Sequence, residues 1–287
     1  MPALHDTAFA KVNLTLEVLG RRADGFHELT SLVAFVGFGD EIELELDDEL
    51  SLAVEGPFGP QVADNNLIIE AAKLAQGAVP SLRLGRFRLL KRLPVAAGLG
   101  GGSADAAAAL RLIARANPDS LSEAALSQLA PSIGSDVSVC FASRPAVIRG
   151  RGEQVEPLGA FPACGVLLAN PGPPLATGAV YAALGAKPLA ASPGPEATSL
   201  AFRDFEGLVH YARPRGNDLE GAAAALVPEI RDVLGALSTL RGVRLTRLSG
   251  SGPTCFALFA TEAEAKHACA ELAAEHPDWW VTASSLG

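Results

Sequence analysis

Between residues 94 and 110 the chain reads Pro-Val-Ala-Ala-Gly-Leu-Gly-Gly-Gly-Ser-Ala-Asp-Ala-Ala-Ala-Ala-Leu. Four glycines and Ser103 thus stand between an apolar strand pattern and an alanine-rich helical run. Glycine adopts positive φ and lets a bulky oxyanion come close to the backbone. The helix that follows offers unpaired N–H groups and a positive dipole end. This is the physical recipe for holding a polyphosphate, and the strand–loop–helix setting favours it over a plain glycine-rich helix cap. The loop is not a Walker A sequence, because no Lys-Ser/Thr follows the last glycine. Ser103 also breaks a G-x-G-x-x-G spacing counted from Gly98, and no early strand–helix–strand start supports a Rossmann oxidoreductase.

Weaker signals lie elsewhere. Lys11 and Asn13 share the polar side of the first strand pattern, which alone reads as a solvated face. Asp136 follows Gly134-Ser135 and precedes an apolar run, where an acid is most often a turn or capping residue. Ser249-Gly250-Ser251-Gly252-Pro253-Thr254 joins two apolar strands, as a hairpin connection does. His27, after Phe26, follows a turn, a common place for a structural histidine.

These residues need elements to position them. Residues 10–18 alternate apolar and polar side chains with the period of a half-buried strand. A turn over 20–25 leads to an extended stretch over 26–38, a turn at Gly39-Asp40 and an alternating strand over 41–46. A helix is expected over 66–75, with Asn65 or Asn66 as its N-cap. A strand over 87–90 precedes the glycine segment, and helices over 104–116 and 122–129 follow it. After a composition change at 157–162 the pattern is strand 165–169, helix 219–237, strands 243–248 and 255–259, helix 262–275 and strand 280–283. That order predicts a split βαβ, ferredoxin-like unit. Residues 185–199 are rich in Pro, Ala and Ser and read as a mobile surface loop.

The 287 residues allow about two domains and a sizeable core. Hydrophobic residues make up 49% and charged residues 19%, with mean hydropathy +0.26, which excludes wholesale disorder. A net charge of −9 argues against broad nucleic-acid binding but not against one anion held by backbone N–H groups. Cys140, Cys164, Cys255 and Cys269 show no metal-ligand or redox spacing, so buried thiols in a reducing compartment are expected. No targeting signal or membrane-spanning run is evident. A cytoplasmic protein, monomeric or weakly homodimeric, is the expectation.

Taken together, Lys11-x-Asn13, the 94–103 segment and Ser249-Gly-Ser-Gly252 resemble the three motifs of the GHMP small-molecule kinases, in order and over nearly the whole chain. Further stretches are similar to one branch of that family, which phosphorylates a diphosphocytidyl derivative of methylerythritol. They are 10–14 (AKVNL), 22–27 (RADGFH), 38–40 (FGD), 66–68 (NLI), 134–137 (GSDV) and 216–220 (GNDLE). The Arg-x-Asp-Gly-aromatic-His run discriminates best from homoserine or mevalonate kinases.

The resemblance implies an α+β fold in two domains. Residues 1–158 would form a mixed α/β nucleotide-binding domain and 159–287 a ferredoxin-like domain, with substrate in a cleft between them. It implies transfer of the ATP γ-phosphoryl to the 2-hydroxyl of the methylerythritol unit, with Mg²⁺ whose protein ligands stay unassigned. Asp136 would accept or orient the hydroxyl proton, and Lys11 would keep Asp136 ionised. Asn13 would bind near the reacting hydroxyl. His27 would read the cytosine edge between the rings of Phe26 and Tyr181. Position 26 departs from the tyrosine common in the family; stacking survives, at on the order of 1 kcal/mol per aromatic pair. Asn66, Leu67 and Lys91 would line the adenine pocket. Pro94, Gly98, Leu99, Gly100, Gly101, Gly102, Ser103 and Ala104 would cradle the phosphates, supported by the 249–252 turn. A regulator that binds nucleotide without turnover is the rival from another class, and the presence of Lys11, Asn13 and Asp136 together argues against it.

Overall fold

The computed structural model describes residues 3–120, 122–189 and 200–287. The chain opens with β1 (Leu4–Asn13), β2 (Glu17–Arg21), β3 (His27–Leu46) and β4 (Ser51–Glu55), then α1 (Leu67–Ala78), β5 (Gly85–Leu90) and α2 (Gly101–Ala116). Short helices α3 (Glu123–Ser127), α4 (Ala130–Ile133) and α5 (Val137–Ala142) precede the hairpin β6 (Ala146–Gly150) and β7 (Gln154–Pro157). The remainder is β8 (Cys164–Asn170), α6 (Thr177–Leu184), α7 (Phe205–Ala212), α8 (Glu220–Leu226), α9 (Glu229–Thr239), β9 (Leu245–Leu248), β10 (Cys255–Phe259), α10 (Glu262–Glu275) and β11 (Trp280–Leu286).

By contact these elements form two compact units that interleave in sequence. One comprises Met1–Lys11, Phe38–Val95 and Gly100–Ser143; the other comprises Val12–Gly37, Ala96–Leu99 and Arg144–Gly287. This division differs from a single cut at 158, since 12–37, 96–99 and 144–158 cluster with the C-terminal residues.

In the first unit, β5 pairs antiparallel with the second half of β3 and parallel with β4. Ile42, Leu44, Phe87 and Leu89 are buried, the period-2 pattern of strands with one face in the core. The turn expected at Gly39-Asp40 is absent, and β3 runs straight through it. A Cβ on Gly39 would lie 2.1 Å from the Ala8 carbonyl oxygen, so this glycine permits close approach of β1 rather than a reversal. α2 begins three residues earlier than its pattern indicated, so residues 101–103 are helical. Its alanines at 104 and 106–109 are buried nearly all round, which lets α1 and α5 pack closely on it.

The second unit contains the ferredoxin-like order expected from the sequence. Its strands lie β11-β8-β10-β9, all antiparallel, and α9 and α10 pack on them. The expected helix over 219–237 is two helices, parted at Val227-Pro228, because proline cannot donate to the preceding turn. The first half of β3 pairs with β2 and β6, and Leu286 of β11 meets Val36. Residues 10–16 are all buried, so the expected exposed face of the first strand does not exist. Of the stretch 185–199, residues 190–199 lie outside the described residues. Lys187 and Leu189 bond the Arg21 backbone on either side of Pro188, at 2.8 Å each.

All four cysteines are free. Burial pushes the Cys140 and Cys164 thiols up to about 12, which keeps them protonated at neutral pH. Among the described residues no helix is long and apolar enough to cross a membrane.

Candidate active site

Lys11 ends the first unit's share of β1, and its side chain is only 5% exposed. Asp136 stands just before α5 in helical backbone, yet its side chain makes no capping hydrogen bond. Instead the carboxylate turns to Lys11, with Nζ and Oδ2 2.9 Å apart. Gly100, the N-cap of α2, lies beside this pair at φ 66°, a conformation that glycine adopts without strain. A Cβ there would stand 3.2 Å from Lys11 Cε and 3.8 Å from Asp136 Oδ2. An ammonium–carboxylate pair therefore sits at the N-terminal end of a sixteen-residue helix. Gly101, Gly102 and Ser103 contribute first-turn N–H groups, which have no partner within the helix.

Beneath that turn lies a second, more deeply buried charge cluster. Lys91 Nζ reaches Asp40 Oδ2 at 2.7 Å and Asp105 Oδ2 at 2.6 Å. Asp40 Oδ1 also accepts from the Arg92 and Leu93 backbone N–H groups, which pins the segment entering Pro94. Burial works against the Lys91 charge, but Asp105 and Asp40 outweigh it and raise the ammonium above its ordinary value. Burial pushes the Asp105 carboxyl up to about 7 against the pull of Lys91, and Asp40 adds to the rise. A Cβ on Gly101 would lie 3.2 Å from Lys91 Nζ, so that glycine faces this cluster rather than outward.

The expected adenine-pocket residues divide. Lys91 commits its ammonium to the two carboxylates. Asn66 caps α1, its Oδ1 accepting from Ile68 N at 2.8 Å. Leu67 packs near α2, its Cδ1 3.6 Å from where a Gly102 side chain would begin. Leu99 and Ala104 are buried.

In the second unit, Gly98 is held by the 249–254 turn. Ser249 Oγ donates to the Gly98 carbonyl at 2.9 Å, and Thr254 N donates to the Ala97 carbonyl at 3.3 Å. A Cβ on Gly98 would lie 2.2 Å from the Ser249 carbonyl oxygen. Asn217 secures the turn in its place, donating to the Leu248 and Gly250 carbonyls and accepting from Leu219 N. The second glycine-rich turn is thus a platform for the start of the first.

The same unit stacks His27 on Tyr181, ring centroids 4.6 Å apart and planes 28° from parallel. Partial burial, then the Arg21 charge, lower the His27 value, which favours neutral imidazole. A neutral imidazole offers one donor and one acceptor, a match for a base edge that presents both. The Phe26 face is covered by the Arg151 guanidinium, 4.7 Å from the ring centroid. Sequence reasoning missed Arg151, Ser31, Asp40 and Asp105. Asp40 and Asp105 lay in stretches singled out, Phe38-Gly39-Asp40 and the 94–110 segment, but neither was given a role. Among the described residues no group of three or more His, Cys, Asp or Glu is placed to hold a metal ion.

Residues 66–144 match the family model described as GHMP kinases N terminal domain, and residues 199–278 match GHMP kinases C terminal. At 48% identity the chain is similar to a 4-diphosphocytidyl-2-C-methyl-D-erythritol kinase of Rhodopseudomonas palustris (strain BisB18), covering 99% of this chain and 95% of that protein. Another of that name, from Methylobacterium radiotolerans, is 48% identical with both chains fully covered. Among solved structures, a 4-(cytidine 5'-diphospho)-2C-methyl-D-erythritol kinase superposes with TM-score 0.78 at 35% identity, over 99% of each chain. A homoserine kinase from Cytophaga hutchinsonii superposes with TM-score 0.74 over 100% of this chain and 95% of its own, and at 18% identity it shows the fold alone. The chain belongs to the 4-diphosphocytidyl-2-C-methyl-D-erythritol kinases, a branch of the GHMP kinases.

Proposed function

We propose that this enzyme transfers the γ-phosphoryl group of ATP to the 2-hydroxyl of 4-diphosphocytidyl-2-C-methyl-D-erythritol, with Lys11 and Asp136 as the catalytic pair. The observation that supports it most is the 2.9 Å ion pair between those side chains, set against Gly100 at the start of α2. Phosphoryl transfer asks a protein for little covalent chemistry and much positioning and charge stabilisation. The first-turn N–H groups and dipole of α2 suit the nucleotide phosphates. Asp136 accepts or orients the proton of the attacking hydroxyl, and the adjacent ammonium offsets charge on the transferring group.

In this reading Asn13 binds the alcohol portion, and His27 reads the cytosine edge beside Tyr181 and Phe26. Residues 98–104, with Pro94, hold the phosphates, and Asn66, Leu67 and the Lys91 segment flank the adenine. Ser103 supplies a hydroxyl in the first turn of α2, the kind of hard oxygen donor that Mg²⁺ accepts alongside nucleotide phosphates, so the residues fit that cation. Held there with the nucleotide, the cation would neutralise phosphate charge. We assign residues 1–158 and 159–287 as the nucleotide-binding and ferredoxin-like domains; the matched family segments fall on either side of that boundary.

The test is an ADP-release assay coupled to NADH oxidation, run with the diphosphocytidyl substrate, with homoserine and with mevalonate. Turnover with the first alone is expected. A comparable kcat/KM with either of the others would overturn the substrate assignment.

A further inference from the structure

Three buried hydroxyls surround the end of β1 in the second unit, those of Thr15, Ser31 and Ser249. Each is tied to the backbone. Thr15 Oγ1 accepts from Leu32 N at 3.0 Å, and Ser249 Oγ accepts from Asn13 N at 3.4 Å. Ser31, on β3 opposite Ile148 of β6, donates its hydroxyl proton to the Thr15 carbonyl.

That last bond has a chemical consequence. A carbonyl oxygen can only accept, and a serine hydroxyl has a single proton. With its proton given to Thr15, Ser31 Oγ can only accept from the Asn13 side chain, whose nearest polar atom is 2.8 Å away. That atom must be the amide nitrogen. The orientation of an asparagine amide is ordinarily ambiguous from its shape, but here the proton count of the neighbours decides it. Asn13 Oδ1 therefore lies on the side away from Ser31. It stands 3.3 Å from where a Gly250 side chain would begin, so a larger residue at 250 would crowd the oxygen.

We infer that Ser31 is a positioning residue that fixes the Asn13 amide with its oxygen directed away from Ser31, so that Asn13 accepts a hydrogen bond from a hydroxyl of the substrate. A reversed amide would present NH₂ in that place, which suits a carbonyl or phosphate oxygen and not the proton of an alcohol. The inference rests on the reading of Asn13 as a substrate-binding residue. Ser31 itself is fully buried and acts only through Asn13.

The test is a double-mutant cycle on kcat/KM for the alcohol substrate, with KM for ATP and the thermal midpoint measured on every variant. Ser31→Ala should lower kcat/KM about five- to tenfold, the size of one hydrogen bond, and leave KM for ATP unchanged. Ser31→Thr keeps the donor and should recover most of that loss. Ser31→Cys, nearly equal in volume with a weak donor, should fall between them and keeps the test alive if alanine destabilises the fold. In an Asn13→Ala background Ser31→Ala should cost nothing more. An equal cost in both backgrounds, or loss of ATP affinity in parallel, would overturn the positioning role. If Asn13→Ala alone left kcat/KM unchanged, the assignment of Asn13 to the substrate would fail, and the inference with it.

Discussion

Two carboxylates share one ammonium beneath the first turn of α2, and the excess negative charge falls on Asp105. Its Oδ1 is buried with no hydrogen-bond partner, an expensive position for a charged oxygen and a cheaper one for a neutral carboxyl. The folded value of about 7 lies above the ordinary 3.8, so the folded protein binds a proton that the unfolded chain releases across that interval. The associated stability is complete below the lower value and is lost as pH rises through the upper one. Asp105→Asn keeps the shape and removes the titration. Its thermal midpoint should therefore fall less than that of the parent between about pH 5 and 8; parallel curves would show that Asp105 ionises as an ordinary carboxylate. Tyr181 is tested differently. Because its ring stacks on His27, Tyr181→Ala should raise KM for the diphosphocytidyl substrate several-fold and spare KM for ATP, in initial-rate kinetics. An unchanged substrate KM would remove Tyr181 from the site. Sequence pattern found Lys11 and Asn13 but read them as a solvated strand face. Burial on both sides of a strand leaves no trace in period-2 alternation, so only the family resemblance raised them. Ser31 gave no signal, and Asp105 drew no role although it lies in the 94–110 segment, since a serine in an apolar strand and an aspartate in an alanine helix have many ordinary uses.

The glycines of the 98–102 segment are not interchangeable, because they belong to different elements. Gly98 lies in the loop against the 249–254 turn, while Gly102 is already inside α2. Gly98→Ala would drive a methyl group to 2.2 Å from the Ser249 carbonyl and should cost on the order of 1–3 kcal/mol, read from the denaturant midpoint. Gly102→Ala meets Leu67 Cδ1 at an ordinary 3.6 Å and gains helix propensity, so its stability should be unchanged or slightly raised. Equal losses at the two positions would contradict this division. The helical period beginning at Ala104 hid the true start of α2, since glycine has low propensity even where the first turn needs it. Gly39 misled in the other direction. Glycine before aspartate is ordinarily a turn signal, but here the missing side chain admits β1 and the buried Asp40 anchors Lys91. Pro228 divided a helix that apolar spacing alone had read as continuous.

The chain as a whole interleaves its two compact units, and this is what the sequence conveyed least. Segments 12–37 and 96–99 join residues far downstream, so no composition change along the chain marks the division. The ferredoxin-like half was legible because its strands and helices are regular and separated by clear turns. The helix expected over 122–129 is there as α3, but the stretch 130–157 was not legible, since two short helices and a small hairpin carry too few residues to set up a period. A net charge of −9 gave no hint of the proposed anion site, and none was needed, because the groups proposed to attract phosphate there are backbone N–H dipoles and one paired lysine. The proposed phosphoryl transfer depends on the carboxylate that faces Lys11. The most direct measurement is kcat of Asp136→Asn with the diphosphocytidyl substrate, followed by ADP release, alongside circular dichroism of the variant. The asparagine keeps the size and a hydrogen bond and cannot take a proton. A fall of roughly 10²–10⁴ in kcat with an unchanged spectrum is the predicted result; turnover within a few-fold of the parent enzyme would contradict it.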